Sequence, residues 1–204
     1  MGNGNSSALH AASAKGDVEG VLAALGAEGV DADAVDDAGN SALILSADGG
    51  HKAVLEILLA KKANVNTLNK AGDSALHKAT RNGNVECVKL LLGAKASVSA
   101  VDQNGDCPLH EVAANGNADI AALLLNKGAD PNQQDASHQT PLHHAVRTDN
   151  QAIAKLLLAN GADMNAECKK GTSPVKMAKD WNWEELQTQA KVEHPRFCQQ
   201  CVVL

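Results

Sequence analysis

The chain has 204 residues, a formal net charge of −6, and only two Trp, one Phe and no Tyr. An acidic chain with so few stacking side chains is a poor match for nucleic acid. No apolar run reaches the roughly 18 residues that a membrane-spanning helix needs, and the N-terminal residues do not resemble a secretory signal. We therefore expect the five cysteines to stay reduced, in a cytosolic setting.

A short motif recurs along the chain with a nearly constant period. It is clearest at Thr140-Pro141-Leu142-His143-His144-Ala145. Six copies share an apolar anchor residue, and the spacing between anchors is 34 residues once and 33 residues four times: Leu9, Leu43, Leu76, Leu109, Leu142 and Val175. A period this regular predicts stacked repeats rather than one closed core.

Each copy contains the signals of a short helix followed by a longer apolar helix. A hydroxyl residue stands where the first helix needs an N-cap, at Ser7, Ser41, Ser74, Thr140 and Ser173. Prolines follow at the first helical position in three copies: Pro108, Pro141 and Pro174. Glycines are predicted to end the first helix at Gly16, Gly50, Gly83 and Gly116, with Asp149 and Asn182 in the last two copies.

The pattern T-P-L-H-x-A at Thr140–Ala145, with its copies, resembles the ankyrin repeat over most of the chain. The resemblance implies an all-α solenoid of stacked helix pairs with short β-hairpin fingers. We predict a flexible arm at 1–5, a repeat domain at 6–190 with repeats starting near 6, 40, 73, 106, 139 and 172, and a tail at 191–204. His138 stands in place of a finger glycine, and the polar last helix, with Trp181 and Trp183, is expected to pack as a cap.

The recurring histidines His10, His77, His110 and His143 invite a metal interpretation, which the period disfavours. Equivalent residues of adjacent repeats lie about 8–10 Å apart, whereas zinc ligands all lie about 2 Å from one ion. The resemblance implies instead that each histidine bonds the neighbouring turn. His143 and His144 diverge by about 100° on one helix and are a poor chelate. We find no nucleotide-binding loop, nucleophile motif or zinc-protease motif, so we predict no enzyme, catalytic residue, metal or cofactor.

The remaining candidates for function lie on the predicted surface. The resemblance implies that finger tips and first helices form a concave face that binds proteins. The partner-binding candidates on it are Lys70, Asp73, Lys78, Arg81, Asp106, Glu111, His144 and Arg147. Their charges are mixed, and for any one of them a merely solvated surface position is the alternative. We expect a monomer that binds a protein partner.

Both ends of the chain carry patterns typical of lipid modification. Cys201-Val202-Val203-Leu204 fits C-a-a-X, and its terminal Leu favours geranylgeranylation of Cys201. Cys198 is a candidate palmitoylation site. The alternatives are a chance tail or a Cys198-x-x-Cys201 redox pair, which normally needs a βαβ setting. The start, Met1 to Ser6, fits the N-myristoylation pattern at Gly2, with a disordered Gly/Asn/Ser arm as the alternative.

Two hypotheses follow from these patterns. The first is a non-catalytic adaptor or scaffold, peripheral on the cytosolic face of a membrane through its lipid anchors. A variant of it is a microbial effector that its host prenylates. The second is a soluble ankyrin-repeat inhibitor or scaffold whose terminal motifs are accidental.

Overall fold

The computed structural model describes residues 4–193, with side chains from 6 to 190. This part of the chain contains twelve helices: α1 (Gly4–Lys15), α2 (Val18–Gly26), α3 (Ala42–Asp48), α4 (Lys52–Ala60), α5 (Ala75–Arg81), α6 (Val85–Gly93), α7 (Pro108–Asn115), α8 (Ala118–Asn126), α9 (Pro141–Arg147), α10 (Gln151–Ala159), α11 (Pro174–Met177) and α12 (Trp183–Glu193). They fall into two units, Met1–Gln103 and Asn104–Leu204. The expected all-α fold class is confirmed.

Each unit is a stack of three helix pairs. In the first unit α1 packs on α2 and α3, α3 on α4 and α5, and α5 on α6. In the second, α7 packs on α8 and α9, α9 on α10 and α11, and α10 on α12. The predicted anchors Leu9, Leu43, Leu76, Leu109 and Leu142 are all 1% exposed or less. The core is therefore built from aliphatic layers between neighbouring pairs, as the composition requires.

The helix starts follow the predicted caps, with one exception. Ser41 Oγ accepts a hydrogen bond from the Ile44 amide at 3.3 Å, and Ser74 Oγ accepts from the His77 amide at 3.2 Å. The prediction that Ser7 is an N-cap is wrong, because α1 already begins at Gly4, inside the predicted flexible arm. In later repeats a finger turn precedes the cap, whereas in the described residues Ser7 is preceded by helix from Gly4 onward.

The fingers are closed by tight turns rather than by long strands. The Asp36 amide donates to the Asn40 carbonyl at 2.9 Å, and one isolated antiparallel bridge pairs Val35 with Ser41. Neighbouring fingers of the first unit are joined by backbone hydrogen bonds, from Lys70 to Ala38 at 3.0 Å and from Gln103 to Ala71 at 2.9 Å.

At Gly72 the next finger is close enough to exclude a side chain. At Gly72 φ is +82°, and an added Cβ would lie 2.7 Å from Asp102 Cα. His138 adopts a similar left-handed φ of +60° in the second unit, as its place in the repeat predicts.

The second helices of four repeats end in the same left-handed turn. After α4, the Lys62 amide donates to the Leu59 carbonyl and the Ala63 amide to the Leu58 carbonyl, the paired bonds of a Schellman motif. The left-handed residue is glycine in two repeats, Gly128 and Gly161, and lysine in the other two, Lys62 and Lys95. Lysine therefore occupies a backbone conformation that favours glycine.

The last repeat closes the second unit as a cap. Its first helix, α11, has only four residues. Trp183 is 9% exposed and donates its indole N–H to the Ala178 carbonyl at 3.0 Å. Trp181 packs against Trp183 with ring centroids 5.3 Å apart and donates to Asp149 Oδ1 at 2.9 Å. Both tryptophans thus serve cap packing, as predicted.

Candidate protein-binding surface

Three aliphatic side chains on successive fingers of the first unit are exposed to solvent. Val35, Leu68 and Val101, here called the finger row, are 52%, 47% and 42% exposed. They occupy equivalent positions in their repeats, immediately before the first residue of each turn. Backbone hydrogen bonds join these fingers side by side, so the three residues lie on adjacent fingers. The equivalent residues of the second unit are polar, Gln134 and Glu167, so the apolar row belongs to the first unit.

The predicted surface residues of the first unit form an ion-pair cluster beside these fingers. Lys78 Nζ lies 3.1 Å from Asp73 Oδ2, and Arg81 Nη2 lies 2.9 Å from Asp73 Oδ1. Arg81 Nη2 also lies 3.9 Å from Asp102 Oδ2. Burial raises the pKa of Asp73, but hydrogen bonds from Arg81 and Lys78 outweigh burial and leave the pKa below its usual value. The cluster therefore fixes the two cations instead of leaving them as free surface charges.

Three predicted residues of the second unit, Asp106, His144 and Arg147, belong to a polar side-chain network with Asp135 and Gln139, here called the His144 network. Arg147 donates from Nη1 to Gln139 Oε1 at 3.0 Å, and its Nη2 lies 3.0 Å from His144 Nδ1. His144 Nε2 lies 3.1 Å from Asp135 Oδ2 and 3.7 Å from Asp106 Oδ1.

The proton positions in this network follow from the arginine. A guanidinium only donates, so His144 Nδ1 must be the acceptor and Nε2 must carry the proton that Asp135 accepts. Burial lowers the pKa of His144, the hydrogen bond to Asp135 opposes this, and the Arg147 charge lowers the pKa further. The imidazole is thus held neutral.

The histidines of the recurring motif make a different set of hydrogen bonds. The Cys107 amide donates to His110 Nδ1 at 3.1 Å, and His110 Nε2 donates to the Gln139 carbonyl at 3.1 Å. His143 repeats this pattern with the Thr140 amide and the Thr172 carbonyl. Each histidine thus ties its own helix start to the next finger, as the family resemblance implied.

The structure revises how the predicted partner-binding residues are presented. Lys70 is exposed at a finger tip, and Arg147 is exposed beside α9. Asp73 and His144 are buried, at 4% and 6% exposed, so the alternative of a merely solvated surface position does not describe these two residues. Asp106 and Glu111 are partly exposed. The lipidation candidates Gly2, Cys198 and Cys201 lie outside the described residues.

Sequence reasoning missed two features of this surface. The charged positions do not point to the finger row; the signal for it in the sequence is the spacing of 33 residues between Val35, Leu68 and Val101. The position of His144 next to His143 does not indicate its carboxylate neighbours. Its carboxylate neighbours come from a finger nine residues earlier and from the preceding repeat.

Comparison with known protein families agrees with this architecture. A family model described as ankyrin repeats (3 copies) matches residues 9–102 and 94–168, which is more than half of the chain. A search of curated proteins finds no match. No helix within residues 4–193 is long and apolar enough to cross a membrane. Ankyrin repeats are protein–protein interaction modules and are typically non-catalytic. The chain belongs to the ankyrin repeat family.

Proposed function

We propose that the protein is a non-catalytic adaptor or scaffold that docks a partner protein on the fingers of its first unit. The observation that carries this proposal is the finger row of Val35, Leu68 and Val101. Polar residues at the equivalent positions of the second unit argue that no repeat-wide structural need placed aliphatic residues there. Apolar groups that are exposed together and framed by polar residues are typical of interaction sites.

The energetics suit a reversible interaction. Full burial of one Val or Leu side chain contributes about 1.5–3 kcal/mol, and each member of the row is about half exposed in the free protein. Covering the row would therefore contribute on the order of 2–4 kcal/mol. Lys70 is exposed two residues from Leu68, and its positive charge would help to orient a partner on the finger row. Arg81 and Lys78 lie nearby, pre-ordered by Asp73, so a partner would lose little side-chain entropy by binding them.

A pair of matched substitutions tests this docking surface. Leu68→Asp places a charge in the finger row, and Leu22→Asp places the same charge on α2, where Leu22 is 50% exposed. We expect Leu68→Asp to reduce recovery of bound partner from eukaryotic cells and Leu22→Asp to leave it unchanged. Both variants should keep the melting temperature of the parent. Equal recovery with Leu68→Asp and parent would overturn the assignment of the surface.

We further propose that the adaptor is peripheral on the cytosolic face of a membrane. Support comes from the patterns Cys201-Val202-Val203-Leu204 and Met1–Ser6. One acyl chain holds a protein only marginally, so the prenyl group on Cys201 would be the main anchor, helped by Cys198 or Gly2. Intact mass from eukaryotic cells tests the modifications, and Cys201→Ser should move the protein to the soluble fraction. An unmodified mass would favour the soluble scaffold instead.

A further inference from the structure

The residues that flank the finger row carry different charges on successive fingers. On the first finger, Asp33 and Asp37 are exposed and stand two residues before and two residues after Val35. The corresponding exposed pairs on the second and third fingers are Asn66 and Lys70, and Ser99 and Gln103. The first finger therefore flanks its valine with two carboxylates, the second flanks its leucine with one ammonium group, and the third flanks its valine with uncharged groups.

These flanking charges are not neutralised by neighbouring side chains. Within residues 6–190, Asp33, Asp37 and Lys70 take part in no ion pair. The stretch 28–41, which contains the first finger, has no lysine or arginine. The ion-pair cluster beside the second finger holds two cations and two carboxylates, which cancel by count. Lys70 is therefore the uncompensated charge at the tip of the second finger.

Hydrogen bonds between the fingers hold these charged positions in place. Asp33 Oδ1 accepts from the Asn64 amide at 2.6 Å, and the Lys70 amide donates to the Ala38 carbonyl at 3.0 Å. Two residues of an extended chain span at most about 7 Å, so each flanking charge is within reach of a long side chain placed on the finger row. A partner thus meets a charge pattern that needs little ordering on binding.

We propose that the finger row binds a polypeptide segment with Lys or Arg beside the aliphatic side chain that contacts Val35, and Asp or Glu beside the one that contacts Leu68. The partner so described is that of the proposed docking function, on which this assignment rests. The aliphatic contacts supply affinity, and the charges fix the direction of the segment. A segment bound in reverse would bring acidic groups to Asp33 and Asp37 and basic groups to Lys70. A uniformly basic or uniformly acidic segment meets one repulsive finger in either direction.

The repeat itself supplies a variant that reverses this polarity with little disturbance of the fold. Asp37 and Lys70 are exposed at equivalent positions of their finger turns, so each turn position already accepts the other residue type in this chain. Asp37→Lys/Lys70→Asp therefore exchanges the two tip charges and leaves the net charge unchanged. The matched control is Lys169→Asp/Asp180→Lys, because Lys169 is exposed at the same turn position of a second-unit finger and Asp180 is exposed in the cap.

Selection of phage-displayed random linear peptides on the immobilised full chain tests the proposal. Clones that bind the parent but not Leu68→Asp are kept, since these peptides need the finger row. We expect them to combine aliphatic residues with both basic and acidic residues. Their synthetic forms should bind Asp37→Lys/Lys70→Asp at least about tenfold more weakly in fluorescence anisotropy, because attractive charge pairs become repulsive. Exchanging the basic and acidic residues of a peptide should restore its binding to this variant.

The control and the remaining outcomes separate the charge assignment from the docking surface. Lys169→Asp/Asp180→Lys should bind the selected peptides like the parent, and circular dichroism verifies that each variant is folded. Row-dependent peptides that bind the parent and Asp37→Lys/Lys70→Asp equally, or that carry charges of one sign only, would overturn the charge assignment and leave the finger row as a docking surface. The absence of any row-dependent peptide would count against the docking surface itself, and with it against this proposal.

Discussion

Two lysines sit where this chain elsewhere uses glycine, and replacing them with glycine should stabilise the protein. Lys62 and Lys95 have φ of +64° and +65° in the turns that end α4 and α6. A left-handed conformation costs an ordinary residue about 1–2 kcal/mol. Glycine escapes this cost but loses about 0.5–1 kcal/mol more backbone entropy on folding. The net gain is therefore about 0.5–1 kcal/mol per site.

The double variant Lys62→Gly/Lys95→Gly should gain about 1–2 kcal/mol if the sites are independent. For a chain of this size that corresponds to a rise of about 2–8 °C in melting temperature. Urea titration followed by circular dichroism gives the free energy, and scanning calorimetry gives the temperature. A lower midpoint for the double variant would refute the reasoning.

Glycines of the second unit supply the matched controls. An added Cβ at Gly128 meets nothing within 4 Å, so Gly128→Ala should lose only the conformational term, about 1 kcal/mol. At Gly105 an added Cβ would lie 2.5 Å from the Ala136 amide nitrogen, which belongs to the next finger's backbone. Gly105→Ala should therefore cost clearly more than Gly128→Ala. Equal losses at the two glycines would mean that the close contact at Gly105 adds no cost, which would contradict this reasoning.

Three further predictions concern stability. Leu142→Ala, in the interior of the second unit, should cost about 2–5 kcal/mol and Leu186→Ala, in the terminal helix, should cost less; equal losses in urea would contradict this order. Burial and the neighbouring His144 lower the pKa of His110 to about 4. The folded protein therefore has its full unfolding free energy above pH 6.5 and loses up to about 3 kcal/mol of it as the pH falls to about 4. The difference in unfolding free energy between the parent and His110→Asn should thus be smaller at pH 4.5 than at pH 7; an equal difference at both pH values would contradict this prediction. Ser13 Oγ is buried without a hydrogen-bond partner among the described residues, so Ser13→Ala should raise stability by about 1 kcal/mol in the same melts, and a loss would count against it.

The sequence predicted the repeat architecture well because its signals are local and are repeated. Pro108, Pro141 and Pro174 start helices, and Gly16, Gly50, Gly83 and Gly116 are all left-handed. Asp149 takes the same conformation at φ +55°, as its place in the period predicts. The prediction was wrong for Ser7, which lies inside α1, because among the described residues the helix already begins at Gly4.

The candidate site was predicted less completely because it depends on contacts between repeats. The charges of Lys78 and Arg81 were identified from sequence, but their neutralisation by a buried Asp73 depends on how the helix meets its finger. The same holds for His144, whose carboxylate neighbours are distant in sequence. Periodicity tells which residues are equivalent. It does not tell which residues of different type meet.

The most direct test of the account is site-specific photo-crosslinking in eukaryotic cells, with a photoreactive amino acid placed at Leu68 in one variant and at Leu22 in another. The two side chains are similarly exposed, but only Leu68 lies in the finger row. Docking on the fingers predicts a discrete, heavier adduct with one partner at Leu68 and none at Leu22. No adduct at Leu68, or the same adducts at both positions, would contradict it.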